Sequence, residues 1–434
     1  MEKIKQIQDQ KMNARLYPIY KRLSWDLLFY YSIIYLFLLQ EKNFSASQIL
    51  LSEAFFTTSC LLLQIPLGLL IDKLKKRNSL IFANCCMCLF ILILIFTQNY
   101  IHLLIAFFID AVGYVIKGIC ETNILYDSLP KGKKRGSLYS SIDGGASATY
   151  YIIDAITSII AGFAFVINPY LPIIMCLLIN VISTYLSTKF KETYNNTNEE
   201  NKSITVKQYF KELKEVTRFA FTSKRMFCLL LFFGIVSGLN YNLTTLRSGV
   251  LEQIQMPEQY FGVIFAMIQV FAAVCAGMQK IIHKRFRNKT LTMIGMPLAI
   301  ILVLIGTLAT GEMNTIKILL ITILFILTGG IKGSHNVLIY RYLNNFTNKE
   351  VRTKLATIRS IIYNIFSIGI SLLGAWLLSI TNASNTIIAI GFVSAVILSL
   401  LLYYMKDKVG LNPEKYSVQD LKYSTINKKK SIGG

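Results

Sequence analysis

Residues Ser79–Thr97 read SLIFANCCMCLFILILIFT, a run with no Asp, Glu, Lys, Arg or His. A helix rises 1.5 Å per residue, so a run of this length crosses roughly 30 Å of hydrocarbon. A helix that is apolar on every side belongs in a membrane or at the centre of a large core. Comparable blocks recur on both sides of it: Leu16–Leu39, Gln48–Ile71, Ile101–Tyr126, Leu138–Ile167, Tyr170–Thr188, Met226–Ser248, Pro257–Ile282, Leu291–Thr310, Ile316–Tyr340, Leu355–Ile380 and Thr386–Met405. With Ser79–Thr97 they make twelve predicted spans. The 434 residues are 54% hydrophobic and 16% charged, against about 25% charged in soluble domains. That composition excludes a soluble enzyme, a disordered chain and a secreted disulfide scaffold. The expected fold is an all-α polytopic membrane protein.

The net charge of +22 raises nucleic acid as a partner, and the placement of the charges excludes it. Almost all of the 45 Lys and Arg fall in the N-tail, the C-tail and alternate loops. The opposite side carries only Lys42, Arg247 and Lys317, while Lys117 and Lys332 lie inside spans. Positive charge stays on the cytoplasmic side, so a multi-pass plasma-membrane protein with both termini inside is expected. Its basic loops lie against the anionic inner leaflet. All 8 cysteines sit in apolar blocks, and Cys85-Cys86-Met87-Cys88 has no flanking polar partner, so neither a metal nor a cofactor is expected.

One long polar stretch, Lys189–Lys224, divides the chain near its middle. Within it Val206, Tyr209, Phe210, Leu213, Val216 and Ala220 recur at helical spacing, which predicts an amphipathic helix on the inner leaflet. The expected organisation is a tail (1–22), a six-helix bundle (23–188), a linker (189–224), a second six-helix bundle (225–405) and a tail (406–434). The bundles echo one another: the fourth span reads GYVIKGICETNILYDSL and the tenth TGGIKGSHNVLIYRYL, sharing Ile-Lys-Gly at 116–118 and 331–333.

The loop after the second span reads GLLIDKLKKRNSL, with Gly68, Asp72, Lys73, Lys76 and Arg77. It resembles the signature loop of the major facilitator superfamily, with Lys75 in place of the second glycine. LYDSLPKGKKRG (Leu125–Gly136) is similar to the end of helix four in bacterial members, and the overall look is closest to efflux-type members. The second-half counterpart, GMQKIIHKRFRNK, keeps Gly277 and has Ile281 where the acid would be. The resemblance implies two pseudo-symmetric six-helix bundles and alternating access, with Asp72 paired in one state to a basic residue on helix eleven, Arg352 or Arg359. The glycine at 68 predicts a close helix approach.

Charges inside a bilayer are costly and mark pathways by default. Asp110, Tyr114, Lys117 and Glu121 fall on one face of the fourth span. Asp143, Ser147, Tyr150 and Asp154 align on the fifth, and Glu53 lies on the second. Ser237, Asn240, Thr244 and Arg247 align on the seventh, Lys332, His335, Asn336 and Tyr340 on the tenth, and Asp26 with Tyr30 lies on the first. Spans three, six, nine and twelve have no charge in their interiors, as the resemblance implies for the outermost helices. No phosphate loop, Gly-x-Ser-x-Gly or His-Glu-x-x-His is present.

A secondary transporter of a small organic solute is therefore expected, proton-coupled and working as a monomer. Asp26, Asp110 and Glu121 lead for the proton, tuned by Lys117, with Glu53 and Asp154 behind. Tyr30, Tyr114, Tyr150, Asn240, Lys332, His335 and Asn336 are the expected solute contacts. Export of a drug or metabolite by antiport is the first direction and import of a nutrient the alternative.

Overall fold

The computed structural model describes residues 2–71, 74–130, 135–192, 211, 214–215, 217–218, 220–222, 224–286, 289–345 and 349–406. Its principal elements are α1 (Glu2–Ser24), α2 (Ile34–Leu36) with a π-helical turn Phe37–Glu41, α3 (Ala46–Ile71), α4 (Lys76–Phe96), α5 (Tyr100–Ser128), α6 (Arg135–Ile167) and α7 (Tyr170–Lys189). The second half supplies α8 (Lys224–Gln253), α9 (Gln259–Phe286), α10 (Lys289–Leu308), α11 (Thr315–Asn345), α12 (Lys349–Ile380) and α13 (Ala383–Met405). Among these, 11 helices are long and apolar enough to cross a membrane. Local chemistry starts them where the sequence provides caps. Ser45 and Gln48 exchange side-chain bonds with each other's backbone N–H at 3.2 and 3.0 Å before α3. Asn99 and Asn382 accept from His102 N and Asn385 N, both at 2.9 Å, at the starts of α5 and α13.

The first expected span is the exception. Leu16–Leu39 is not one helix: α1 stops at Ser24 and residues 25–33 are turns before α2. The Asp26 carboxylate accepts from Leu27 N at 2.9 Å, a local bond that competes with helix. Phe29 adopts φ +66, a left-handed conformation that bulky residues rarely take, and Tyr30 O accepts from both Ile33 N and Ile34 N at 3.1 and 3.0 Å. Upstream, α1 runs back to Glu2 through the segment expected as a tail, and Tyr17, Tyr20 and Lys21 are buried. Non-helical backbone at membrane depth is tolerated where protein or a wet cavity surrounds it.

The chain forms two compact units, Met1–Lys202 with Met256–Met267, and Ser203–Gln255 with Ile268–Gly434. Inside the first, α1 packs on α5, α6 and α7, α4 on α5 and α7, α6 on α5 and α7, and α3 on α5. Inside the second the scheme repeats: α8 packs on α11, α12 and α13, α10 on α11 and α13, and α12 on α11 and α13. This is the pseudo-repeat anticipated from Ile-Lys-Gly.

The shared tripeptide itself packs differently in the two halves. A Cβ at Gly118 would meet nothing within 4 Å, whereas one at Gly333 would lie 2.0 Å from Ala272 O and one at Gly329 2.4 Å from Ile268 O. α11 therefore lies directly on α9 through its glycines. Gly68 does not serve the close approach expected of it, because a Cβ there meets only Ile119 Cδ1 at 3.8 Å. Gly333→Ala is expected to destabilise the protein by about 1–3 kcal/mol through overpacking, with Gly118→Ala near neutral. Apparent Tm of the two purified variants in one detergent checks this, and equal losses would contradict it.

Candidate functional site

The break after Ser24 frees carbonyl oxygens at the negative end of α1. Lys117 on α5 fills that place: its Nζ donates to Ser24 O, lies 3.6 Å from Met87 Sδ, and stands 3.9 Å from Glu121 one turn along. Lys117 is 3% exposed and Glu121 6%, so each charge is compensated inside the protein. The i,i+4 pair foreseen on the fourth span is present, and the backbone carbonyl is its unforeseen third member.

Above this knot lie the acids. Tyr31 Oη donates to Asp26 at 2.6 Å, a partner that the expected residue set omits. Asp110 is buried and lies within electrostatic reach of Asp26 and Lys117. Its Oδ1 has no hydrogen-bond partner among the described residues. Tyr30, also buried, packs edge-on against Tyr31 and Phe90 with centroids 5.1 and 5.8 Å away, within reach of Asp110, Glu53 and Asp26. Tyr150 is buried against Trp25 at 5.3 Å. Asp26, Tyr30, Asp110, Lys117, Glu121 and Tyr150 thus gather in the first unit around the break. Asp154 is buried and Glu53 half-buried, while Tyr114 is exposed on its helix with its ring 5.7 Å from Phe56.

Sequence reasoning misses a second charged pair. Lys21, read as part of the tail, is buried and bonds Asp143, which also accepts from Tyr17 Oη at 2.7 Å. The ammonium stands 4.8 Å from the Trp25 ring centroid. The polar face of the fifth span shows that Asp143 needs a counterpart, but no sequence pattern points to Lys21, 122 residues away. In the other unit, His335 Nε2 contacts Ser237 Oγ at 2.7 Å and its ring lies 5.5 Å from Phe233. Asn240 is buried and returns its amide to Val236 O at 2.8 Å, whereas Asn336 is exposed and Lys332 half-buried. Asn242, absent from the expected set, donates to Ser367 O at 3.1 Å and accepts from Ser371 Oγ at 2.5 Å, tying α8 to α12.

Asp72 and Lys73 of the signature loop lie outside the described residues, as does the side chain of Arg352. Lys76 pairs with Asp127 at 2.5 Å, Asp127 also faces Arg135 at 3.7 Å, and Arg135 stacks on Tyr126 at 3.9 Å. Arg77 Nη2 donates to Thr188 O at 2.8 Å. Lys76 and Arg77 of the signature loop thus bind the ends of α5 and α7 within their own unit. Arg359, the other expected gate partner, lies within electrostatic reach of His335.

A two-unit helical membrane protein with repeated packing and internally compensated charges is the architecture of a solute carrier. The chain matches the Major Facilitator Superfamily over residues 23–331 and belongs to that family. No curated protein sequence matches it. Among solved structures it is similar to the nucleoside transporter NupG, with TM-score 0.71 at 10% identity over 92% of this chain and 99% of that one. It is similar to a proton-dependent oligopeptide transporter, with TM-score 0.63 at 12% identity over 94% and 100%. A bacterial homologue of the iron transporter ferroportin, in an inward-facing state, gives 0.62 at 15% over 92% and 98%. At these identities the likeness is one of fold. The protein is a multi-pass membrane transporter of small molecules.

Breaking the Lys21–Asp143 pair strands a carboxylate that is 24% exposed. Lys21→Met is therefore expected to destabilise by less than the ~3–5 kcal/mol of a fully buried pair, and exchanging the two residues is expected to restore part of the loss. Apparent Tm of the single and exchanged variants measures both. Recovery no better than additive would show that the pair contributes nothing specific.

Proposed function

We propose that the protein is a proton-coupled secondary transporter that exports a small organic drug or metabolite across the plasma membrane. It works as a monomer with both termini in the cytoplasm, the side on which the Lys and Arg of its loops are concentrated. The observation that carries the proton coupling is Asp110, buried beside the broken first span with an oxygen lacking any hydrogen-bond partner among the described residues. An ionised carboxylate without a partner is costly away from water. The proton on such a group is therefore tied to whether water reaches it, which alternating access controls. Asp26, held by Tyr31, and Glu121, held by Lys117, are the acids that share its surroundings. Glu53 and Asp154 complete the set.

Lys117 gives the cycle a moving part. Its ammonium is shared between the end of α1 and Glu121. Neutralising Glu121 with a proton leaves Ser24 O as its bonded oxygen; restoring the carboxylate draws it back. Movement of the proton thereby changes how firmly the start of the first span is held to α5. Tyr30, Tyr114, Tyr150, Asn240, Lys332, His335 and Asn336 are the proposed solute contacts, and Asp72 with Arg352 or Arg359 the proposed inner gate.

Export rests on the overall look of the chain, which is closest to bacterial efflux-type members. A nutrient importer of the same fold is the second reading. It is favoured by Asp110, where the resemblance leads one to expect Arg, and by a fifth span, DAITSIIAGF, with Gly162 and no proline. Ethidium retention in expressing cells separates them: an exporter lowers retention, and Asp110→Asn returns it to the level of cells without the protein. Unchanged dye together with raised uptake of labelled nucleosides, sugars or amino acids selects import. If Asp26→Asn, Asp110→Asn and Glu121→Gln each keep full dependence on the proton gradient, the coupling assignment is wrong.

A further inference from the structure

A buried acid that takes up and loses a proton needs a route to water, and for Glu121 that route must be made of neighbouring side chains. Among the described residues, the titratable groups within its electrostatic reach are Lys117 and Cys120 on α5, Tyr17, Tyr20 and Lys21 on α1, and Asp143 on α6. The Glu121 side chain is 8% exposed and that of Asp143 24%, so Asp143 is the acid of this group that meets water. Tyr20 leads elsewhere. Its Oη donates to Asn84 Oδ1 on α4 at 3.2 Å and accepts from Asn84 Nδ2 at 3.0 Å, and both residues are fully buried. Tyr17, also buried, donates instead to Asp143 at 2.7 Å. A phenol that donates to one group still has lone pairs to accept from another.

Two buried oxygens mark where the route begins. Glu121 Oε1 and Ser24 Oγ have no hydrogen-bond partner among the described residues. Lys117 joins their surroundings, because its ammonium donates to Ser24 O and stands 3.9 Å from Glu121 Oε1. Buried oxygens of this kind are met by ordered water, which itself needs two to four polar partners. The second buried acid has a different outlet. Asp110 lies eleven residues before Glu121 on α5, roughly 16 Å of helix rise away. It shares Lys117 with Glu121, but the acid within its reach is the half-buried Asp26 rather than Asp143.

We propose that Asp143 is the port through which Glu121 exchanges its proton with water, with Tyr17 as the intervening hydroxyl and Lys21 as the residue that positions Asp143. This rests on the reading of Glu121 as a proton-carrying acid and adds where its proton leaves. The O–H bond of the Glu121 carboxylic acid breaks as its proton passes through water to the Tyr17 oxygen. The phenol's own proton moves to Asp143 Oδ1, to which Tyr17 already donates, and Asp143 releases it to solvent. Tyr17 ends unchanged, and Lys21 and Lys117 stay ammonium ions throughout. Lys21, bonded to Asp143 and 4.8 Å from the Trp25 ring centroid, keeps the port carboxylate against α1.

Time-resolved infrared spectroscopy of the purified full-length protein after a pH jump tests the proposal. It follows the carbonyl stretch of protonated carboxylic acids, and the part of the signal lost in Glu121→Gln belongs to Glu121. Asp143→Asn is expected to keep that band and slow its appearance by about tenfold or more, and Asp143→Glu to restore most of the rate. Tyr17→Phe leaves Lys21 and Asp143 paired and is expected to slow the band likewise; where Asp143→Asn does not fold, this variant decides. Asp26→Asn, at the other outlet, is expected to leave the Glu121 rate unchanged. The absence of a Glu121 band, an unchanged rate in folded Asp143→Asn or in Tyr17→Phe, or equal slowing in Asp26→Asn overturns the proposal. The readout needs no solute, so a protein that shows this exchange yet moves no solute with the gradient defeats the transport reading alone.

Discussion

A charge inside hydrocarbon must find its counterpart within the chain, and Lys117 shows what that demands. Its ammonium needs more than Glu121 at 3.9 Å, and takes a backbone carbonyl that is free only because the first span stops at Ser24. The broken helix and the buried lysine therefore depend on each other. An intact helix would occupy Ser24 O with its own amide, leaving Lys117 short of an acceptor. Without Lys117, the carbonyl end of α1 would face an apolar interior. Trp25 packed edge-to-face with Tyr150 and Tyr151, at 5.3 and 5.1 Å, steadies the chain where it leaves the helix.

The two halves use one packing scheme for different ends. Most contacts between helices correspond, yet the first half has a discontinuous opening helix with Asp26 and Asp110 around the break, while α8 is continuous and its half carries Lys332, His335 and Arg359 within its helices. Gly118 and Gly333 occupy equivalent places in the shared tripeptide, and only Gly333 is pressed against a neighbouring backbone. Repeated helix order thus preserves architecture and leaves each half free to carry its own chemistry.

The signature loop illustrates how a recognised motif and its physical role separate. Lys76 and Arg77 belong to the pattern by position, but their partners are Asp127, on the fourth span, and the carbonyl of Thr188, at the end of the sixth. These bonds brace neighbouring ends of three helices in one unit, and Arg135 extends the brace across Asp127. Gly68, by contrast, has room for a side chain on its neighbour's side.

Much of this was legible in the amino-acid order. Apolar blocks long enough to cross a bilayer dictate helices, because no other open segment satisfies its own backbone there. Their number, the basic loops, the repeat and the stripe holding Lys117 and Glu121 are all one-dimensional patterns. The break at residues 25–33 was not legible, since SWDLLFYYSI is as apolar as its neighbours and the helix yields only to a local Asp26 bond and to Lys117 arriving from α5. Nor was Lys21–Asp143, whose members lie 122 residues apart, or the setting of His335, which depends on Ser237 and Phe233 from another helix. Sequence alone determined which segments enter the membrane, because hydropathy and length are properties of the segment itself. Only the tertiary structure decided where its charges meet, because the partner of a buried charge is set by packing between helices.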